Sequence, residues 1–202
     1  AQAAASGAGV FEHPLDAATE SVFAEVRASL SAHAVQKGAF TQTKRIARLK
    51  RDLVSSGSYV IAREEGIFWR TEKPYPSAMT VTRRAVIQTA ASGKKTVLQA
   101  GSNATFESFS AVISSVFQGG DALSADNFDI SFEGTAARWT AGLVPKDSAI
   151  RAVASRFVLE SADGALLAVT MHEPSGDSVR YDFSATEYAD ALTPAEQALF
   201  RE

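Results

Sequence analysis

Residues 53–74 have the sequence LVSSGSYVIAREEGIFWRTEKP. Side chains alternate between two faces in both halves, which predicts two β-strands. Residues 63–66 are polar and end in glycine, as suits a hairpin connection of about three to five residues. Pro74 ends the second strand because proline has no N–H to donate to a sheet. The side chains on one face are Gly57, Tyr59 and Ile61 in the first strand, and Ile67, Trp69 and Thr71 in the second.

The large apolar groups on one face of this hairpin must be covered, either by the protein's own core or by a ligand. Aromatic and aliphatic residues recur at helical spacing between residues 103 and 117, which predicts an amphipathic helix. From these residues alone, core packing and the lining of an apolar cavity remain two open alternatives. The side chains concerned are Phe40, Tyr59, Ile61, Ile67, Trp69, Met79, Val81, Phe106, Phe109 and Ile113.

The rest of the chain consists mainly of short alternating segments, without regular strand–helix units. Asp16 is the predicted cap of a helix that runs to about Ser31, and Thr193 opens a capping box before a short C-terminal helix. This pattern predicts an α+β fold in which helices cover the concave side of a strongly curved antiparallel sheet. Further strands are expected at residues 33–43, 78–82, 85–89, 96–100, 128–132, 139–143, 156–161, 165–172 and 179–183.

Composition is that of an ordinary globular protein. The chain has 202 residues, of which 21% are charged and 46% hydrophobic, and its formal net charge is −3. The length predicts one β-rich domain over residues 15–202, after a flexible tail over residues 1–14. The uncharged start, AQAAASGAG, is compatible with the end that signal-peptide cleavage leaves.

The sequence lacks the residues or motifs of several kinds of catalytic, metal-binding and nucleic-acid-binding site. The absence of cysteine excludes disulfides, thiolate zinc sites and a cysteine nucleophile. His13, His33 and His172 lack the spacing of metal ligands, and neither a G-x-S-x-G elbow nor a phosphate-binding loop occurs. The slightly negative net charge gives no general attraction to nucleic acid. We therefore expect no enzyme, no cofactor and no nucleic-acid partner.

An ordered set of short motifs resembles the LolA family of periplasmic lipoprotein carriers. The family pattern is a strand ending in F-x-Q, an S-x-G-x-hydrophobic strand, an arginine at the turn, and a tryptophan five residues before a proline. The likeness covers about residues 17–74 and continues more weakly from residues 139–145 to the C-terminus. The matching residues are Phe40-Thr41-Gln42, Ser55-Ser56-Gly57-Ser58-Tyr59, Arg63, Trp69 and Pro74.

The resemblance implies an incomplete β-barrel closed by a helical lid, with an apolar cavity between them. It favours the cavity role for the apolar set and implies that Arg63 latches the lid through backbone carbonyls. It also implies a periplasmic carrier, expected to be a monomer, that takes an acylated ligand from an inner-membrane exporter to an outer-membrane acceptor. The alternative is a structural or lipid-sensing module without a transport role on the same fold.

Two groups of cations are candidate contacts for a lipid headgroup or a membrane partner. Arg83 and Arg84 stand where typical family members have an Asp-Gly turn, which favours a lipid or acylated small molecule as cargo at least as much as a lipoprotein. Lys44, Arg45 and Arg48 crowd a short connecting stretch and suit docking to an acidic partner or anionic headgroups. For both groups the alternative is a solvated hairpin end.

Overall fold

A computed structural model describes residues 7–49, 51–82, 84–99 and 123–201 of the chain. The strands are β1 Val35–Ile46, β2 Arg51–Ala62, β3 Gly66–Lys73, β4 Ser77–Val81, β5 Ala85–Ala90, β6 Lys95–Gln99, β7 Phe128–Thr135, β8 Arg138–Pro145, β9 Arg156–Ala162, β10 Ala165–His172 and β11 Ser178–Ala189. The α-helices are α1 Glu20–Leu30, α2 Ser148–Val153 and α3 Pro194–Gln197, and 3-10 helices occupy Gly7–Glu12 and Ala198–Phe200.

These strands form one antiparallel sheet in the order β6-β5-β4-β3-β2-β1-β11-β10-β9-β8-β7. Strands that follow each other in the chain pair with each other, except that β6 and β7 lie at opposite edges. The two halves join where β1 pairs with β11, with Phe40 opposite Phe183. The described strands thus form an open antiparallel sheet, in agreement with the predicted α+β class.

Ring contacts show that the sheet is curved. Trp69 on β3 and Tyr181 on β11 are three strand spacings apart, which is about 14 Å on a flat sheet. Their ring centroids nevertheless lie 5.2 Å apart, and the Phe183 ring lies 6.3 Å from that of Trp69. Side chains from β1–β5 and β7–β11 consequently share one large core on the concave face.

Helix α1 covers part of this concave face. Phe23 and Val26 are buried in the large core, and the Phe23 ring meets Phe132 of β7 at 5.4 Å. The Asp16 carboxylate accepts a hydrogen bond from the Thr19 backbone N–H at 2.9 Å, but α1 itself begins only at Glu20. Asp16 therefore caps the turn that leads into the helix and not its first turn. The predicted helix over residues 103–117, with Phe106, Phe109 and Ile113, lies outside the described residues.

The prediction of a flexible tail over residues 1–14 is wrong for residues 7–14. Val10, in the N-terminal 3-10 helix, is fully buried, and the Phe132 backbone N–H donates to the His13 carbonyl oxygen at 2.9 Å. The segment supplies hydrogen bonds to the edge strand β7, where an open strand edge would otherwise be exposed. Phe11 lies so close to Gly142 that a Cβ there would be 2.7 Å from the ring. The sequence has no periodicity here, so local pattern could not predict this packing.

The C-terminal segment covers the opposite, convex face. Phe200 is buried in a second core with Val35, Val60 and Phe68. The predicted capping box is present: the Thr193 hydroxyl accepts from the Glu196 N–H, while the Glu196 carboxylate accepts from the Thr193 N–H. Because both faces of the sheet are covered at this end, residues 59–62 of β2 form a continuous buried run.

Candidate functional site

A cavity of about 370 Å³ lies on the concave face, where β3, β4 and β5 meet β1 and β11. Strand register explains which side chains line the cavity. Trp69 on β3 stands opposite Met79 on β4, and Met79 stands opposite Gln88 on β5. Gln42 pairs with Tyr181 across the junction of the two halves. The cavity is lined by Gln42, Ile67, Trp69, Thr71, Ser77, Ala78, Met79, Val81, Gln88 and Tyr181.

Trp69 is the centre of the aromatic wall. Its ring lies 4.1 Å from that of Phe40 on β1 and 5.9 Å from that of Tyr59 on β2. Gly57 on β2 pairs with Phe40 of β1 on one side and with Thr71 of β3 on the other. Because Gly57 has no side chain, it does not separate the Phe40 ring on β1 from the Trp69 ring on β3. Offset and edge-to-face aromatic contacts of this kind stabilise a fixed ring arrangement. Trp69 is therefore held by its neighbours while one side of it faces the cavity.

The lining residues carry no formal charge at neutral pH. Burial, with a smaller effect of the Glu173 carboxylate, raises the pKa of Tyr181 to about 12, so its phenol stays protonated. Gln42, Thr71, Ser77 and Gln88 supply neutral hydrogen-bonding groups beside the apolar wall. The site suits an apolar ligand that carries a few polar groups, because a charged group would find no ionic partner among the lining residues.

The structure divides the predicted cavity residues into two groups. Ile67, Trp69, Met79 and Val81 line the cavity, and their role in binding remains a prediction. Phe40, Tyr59 and Ile61 do not line it; they are buried in the large core behind it. The alternation of residues along a strand predicts on which face of the sheet a side chain lies. It does not predict how close that side chain is to the cavity.

Six lining residues were absent from the predicted set: Gln42, Thr71, Ser77, Ala78, Gln88 and Tyr181. Gln42 lies two residues after Phe40 on the same face of β1, so alternation within the F-x-Q motif was a sufficient signal. Tyr181 alternates in the same way with Phe183 on β11. Its closeness to Trp69, however, follows from the pairing of β1 with β11, which no local pattern contains. Phe106, Phe109, Ile113 and Arg83 lie outside the described residues.

Arg63 connects the β2–β3 turn to the end of α1. Its Nη2 atom donates to the carbonyl oxygens of Ser31 and His33, the second at 3.1 Å. Its backbone N–H donates to the Ala34 carbonyl oxygen at 3.0 Å. Ser31 is the C-cap residue of α1, so the planar guanidinium satisfies carbonyls where the helix ends. A latch on a lid over residues 103–117 remains a prediction.

Of the predicted cationic contacts, Lys44, Arg45 and Arg48 belong to the β1–β2 hairpin and Arg84 belongs to the β4–β5 turn. Lys44 and Arg45 lie in β1, which continues to Ile46, and Arg48 lies in the turn that precedes β2. Lys44 Nζ lies 3.4 Å from Glu173 Oε1, whereas Arg45 and Arg48 are exposed. Arg84 is exposed in the β4–β5 turn, where its N–H donates to the Thr82 hydroxyl.

Within the four described ranges, no group of three or more potential metal ligands is close enough to hold an ion. No helix in those ranges has the length and apolar character needed to cross a bilayer.

Comparison with known proteins gave matches in structure only. No protein-family model matches the sequence, and the search of curated proteins gave no match either. The chain is similar to a DUF1329 family protein from Desulfovibrio piger, with 13% identity, a TM-score of 0.47, and coverage of 88% of this chain and 98% of that one. It is similar to a LolA superfamily protein from Nitrosomonas europaea, with 11% identity, a TM-score of 0.46, and coverage of 91% and 97%.

A third similar structure is the Pseudomonas aeruginosa MucA/MucB complex, with 12% identity and a TM-score of 0.49, where the match covers 91% of this chain and 60% of the other. A solved structure of the LolA superfamily is thus among those that the chain resembles, as the sequence motifs indicated.

Proposed function

We propose that this protein binds the acyl chain of a lipid, a lipoprotein or another acylated molecule in the concave cavity. The observation that carries the proposal is a cavity of about 370 Å³ whose lining residues are all uncharged. That volume lies in the range of roughly 300–1,000 Å³ that is usual for small-molecule sites. Burial of methylenes against Ile67, Trp69, Met79 and Val81 is favourable at about 0.8 kcal/mol per methylene.

The transport role extends this binding proposal. A bound acyl chain is shielded from water, so a protein that loads at one membrane and unloads at another can carry it through the periplasm. We propose an inner-membrane exporter and an outer-membrane acceptor as the partners in such a route, which would place the protein in outer-membrane biogenesis. The competing candidate, favoured by the extensive core around Trp69, is a structural or lipid-sensing module that binds or packs without moving cargo.

Probe binding with a matched pair of variants tests the cavity. The chain has two methionines, Met79 and Met171, both partly buried against the large core, but only Met79 lines the cavity. Met79→Arg should lower the affinity for a dansyl fatty acid about tenfold or more, because it places a cation in an apolar site. Met171→Arg should leave that affinity within about twofold. Equal affinities for both variants would exclude this cavity as the binding site.

A milder pair of substitutions distinguishes a loss of probe binding from a loss of stability. Met79→Gln and Met171→Gln keep the side-chain length, and thermal unfolding of each reports whether the fold is intact. Probe displacement by unlabelled fatty acid identifies specific occupancy. If the wild-type protein takes up no probe, the acyl-binding proposal fails and the filled structural module is favoured.

Transfer and cargo need two further measurements. A carrier should speed the movement of a fluorescent phospholipid from donor to acceptor vesicles, whereas a sensor should bind lipid without speeding its movement. Native mass spectrometry of protein taken from its own source, followed by lipid extraction, identifies the cargo. Loss of a bound lipid in Arg83→Ala/Arg84→Ala would support a headgroup contact at that turn. Recovery of intact lipoprotein would instead identify a lipoprotein carrier.

A further inference from the structure

Exposed apolar side chains gather at one end of the sheet. Seven large apolar side chains are markedly exposed among the described residues, and four of them belong to the β1–β2 hairpin end or the adjacent β3–β4 turn. They are Leu49, Leu53, Val54 and Tyr75, with exposed fractions of 64%, 45%, 57% and 82%. Scattered apolar residues are normal on a surface, but a contiguous group indicates an interaction site.

A surface depression joins three of these four residues. Leu53, Val54 and Tyr75 line a cavity of about 460 Å³ together with Lys44 and Arg51. The register explains the grouping, because Leu53 stands opposite Lys44 and Arg51 stands opposite Ile46 at the end of the hairpin. We call the surface formed by Arg45, Arg48, Leu49, Arg51, Leu53, Val54 and Tyr75 the tip surface.

The charge of the tip surface is mainly positive. Arg45, Arg48 and Arg51 are exposed, and Asp52 is the exposed carboxylate among them. The other nearby acids already have partners: Glu173 faces Lys44 at 3.4 Å, and the Asp177 carboxylate accepts from the Ala47 N–H at 2.9 Å. The tip surface therefore combines apolar groups with long cations, a combination that matches the boundary between acyl chains and anionic headgroups.

The tip surface is also continuous with the concave cavity. Gln42 lines both the cavity beside Trp69 and the depression beside Tyr75. Strand β1 carries the connection, since Phe40, Gln42 and Lys44 follow one another on one face towards the hairpin end. Contact between the tip surface and a bilayer would bring the cavity close to the headgroups.

We infer that the tip surface docks reversibly on an anionic phospholipid bilayer, with Leu49, Leu53 and Tyr75 entering the headgroup region and the three arginines contacting phosphates. A bilayer fits better than a protein partner because the apolar groups project from turns and a hairpin end and alternate with cations. Aromatic side chains such as that of Tyr75 favour the interface between lipid and water. Docking of the tip surface does not depend on what the cavity holds.

Cosedimentation of the full chain with vesicles tests the charge component. We expect binding to vesicles containing phosphatidylglycerol, weaker binding at high salt, and little binding to phosphatidylcholine vesicles. Arg45→Glu/Arg48→Glu/Arg51→Glu should lower the affinity about 100-fold at low salt. A matched reversal of three exposed arginines elsewhere should change the affinity by less than about threefold. The control positions are Arg138, Arg151 and Arg201.

A second pair of variants tests the apolar component. Leu49→Ser/Leu53→Ser should weaken vesicle binding about tenfold, and the loss should persist at high salt because it does not depend on charge. Val97→Ser/Leu167→Ser is the control, since both residues are 44% exposed but lie outside the tip surface. Thermal unfolding of each variant verifies the fold, and probe binding in the cavity should be unchanged in all of them.

Tyr75→Trp reports insertion directly. Its fluorescence should shift to shorter wavelength on vesicles and be quenched by brominated phospholipid, in excess of the change given by Trp69 and Trp139 in the parent protein. Binding without added quenching would overturn insertion of the tip surface. Absence of binding to phosphatidylglycerol vesicles at low salt would overturn the inference altogether and identify the surface as one for a protein partner. Failure of probe binding with intact docking would overturn only the acyl-binding proposal.

Discussion

The indole of Trp69 and the phenol of Tyr181 meet edge to face, with 5.2 Å between their ring centroids, although β2 and β1 lie between their strands. The contact joins the two halves of the sheet on the concave side. The two rings also form an aromatic wall of the cavity, and the Phe40 ring lies 4.1 Å from Trp69 behind that wall. One ring pair therefore contributes both to the curvature of the sheet and to the shape of the site.

Removal of the Tyr181 ring should loosen this junction. Tyr181→Ala is expected to lower the free energy of unfolding by about 2–3 kcal/mol, because it leaves a space beside Trp69. Tyr181→Phe keeps the ring and should cost less than about 1 kcal/mol. Urea unfolding followed by tryptophan fluorescence measures both. Similar losses for the two variants would assign the effect to the hydroxyl group and not to the ring.

The raised pKa of Tyr181 gives an independent prediction at high pH. The folded pKa of about 12 lies above the ordinary value of 10.0, so the neutral phenol is favoured in the folded state. The corresponding stability is present below pH 10 and is lost as the pH rises towards 12. Phenolate absorbance should show a late-titrating tyrosine that disappears in Tyr181→Phe. Burial also raises the pKa of Tyr188, so the decisive observation is a titration near pH 12 that survives Tyr181→Phe, which would contradict the assignment.

Arg63→Leu should release the end of α1 from the β2–β3 turn. Loss of the bonds to Ser31 and His33 is expected to cost about 1–2 kcal/mol and to speed hydrogen exchange at the end of α1 while β2 and β3 stay protected. Arg63→Lys should restore the stability only in part, because an ammonium lacks the planar fork. The latch hypothesis further predicts faster exchange over residues 103–117. Uniformly faster exchange throughout the chain would indicate a general stability role.

Glu196 gives a prediction at low pH. The hydrogen bond from Lys37, aided by the Thr193 N–H, lowers the pKa of Glu196 to about 2, below the ordinary 4.5. The stability that this carboxylate provides is therefore present above pH 4.5 and is lost as the pH falls towards 2. Glu196→Gln should be less stable than wild type at pH 7, and the difference should shrink through this range. Urea unfolding at several pH values measures it.

A neighbouring carboxylate supplies the control for Glu196. Glu187 lies 3.9 Å from Lys37 and its side chain is 72% exposed, so Glu187→Gln should change stability little at any pH. An equal effect of both substitutions would mean that the positive charge of Lys37, and not the capping geometry at Thr193, dominates.

Gly57→Ala should disrupt the central hairpin. A Cβ at this position would overlap the carbonyl oxygen of Arg70 on β3, next to an irregularity in the β2–β3 pairing. We expect a loss of more than about 2 kcal/mol in unfolding free energy, because backbone must move to make room. Gly9→Ala, where a Cβ would have no neighbour within 4 Å, should be close to neutral. Near-equal melting temperatures for the two variants would contradict this account.

Local pattern predicted most of the secondary structure. Alternation located the hairpin of β2 and β3, and the Asp163-Gly164 pair, with both residues at positive φ, forms the turn between β9 and β10. The capping box at Thr193 was equally informative, because its hydrogen bonds join residues three positions apart. Element limits were less accurate, as in β11, which continues to Ala189 beyond the predicted end at Phe183.

Alternation along each strand was sufficient to predict which side chains share a face, because backbone geometry alternates residues regardless of partners. Ile67 and Trp69 were thus predicted together on one face of β3. The pairing of β1 with β11 and the contact between Tyr181 and Trp69 are properties of the tertiary structure that no local pattern contains. Those contacts join residues more than a hundred positions apart, and they depend on sheet curvature and on the summed packing of many side chains. The cavity exists because of these distant contacts.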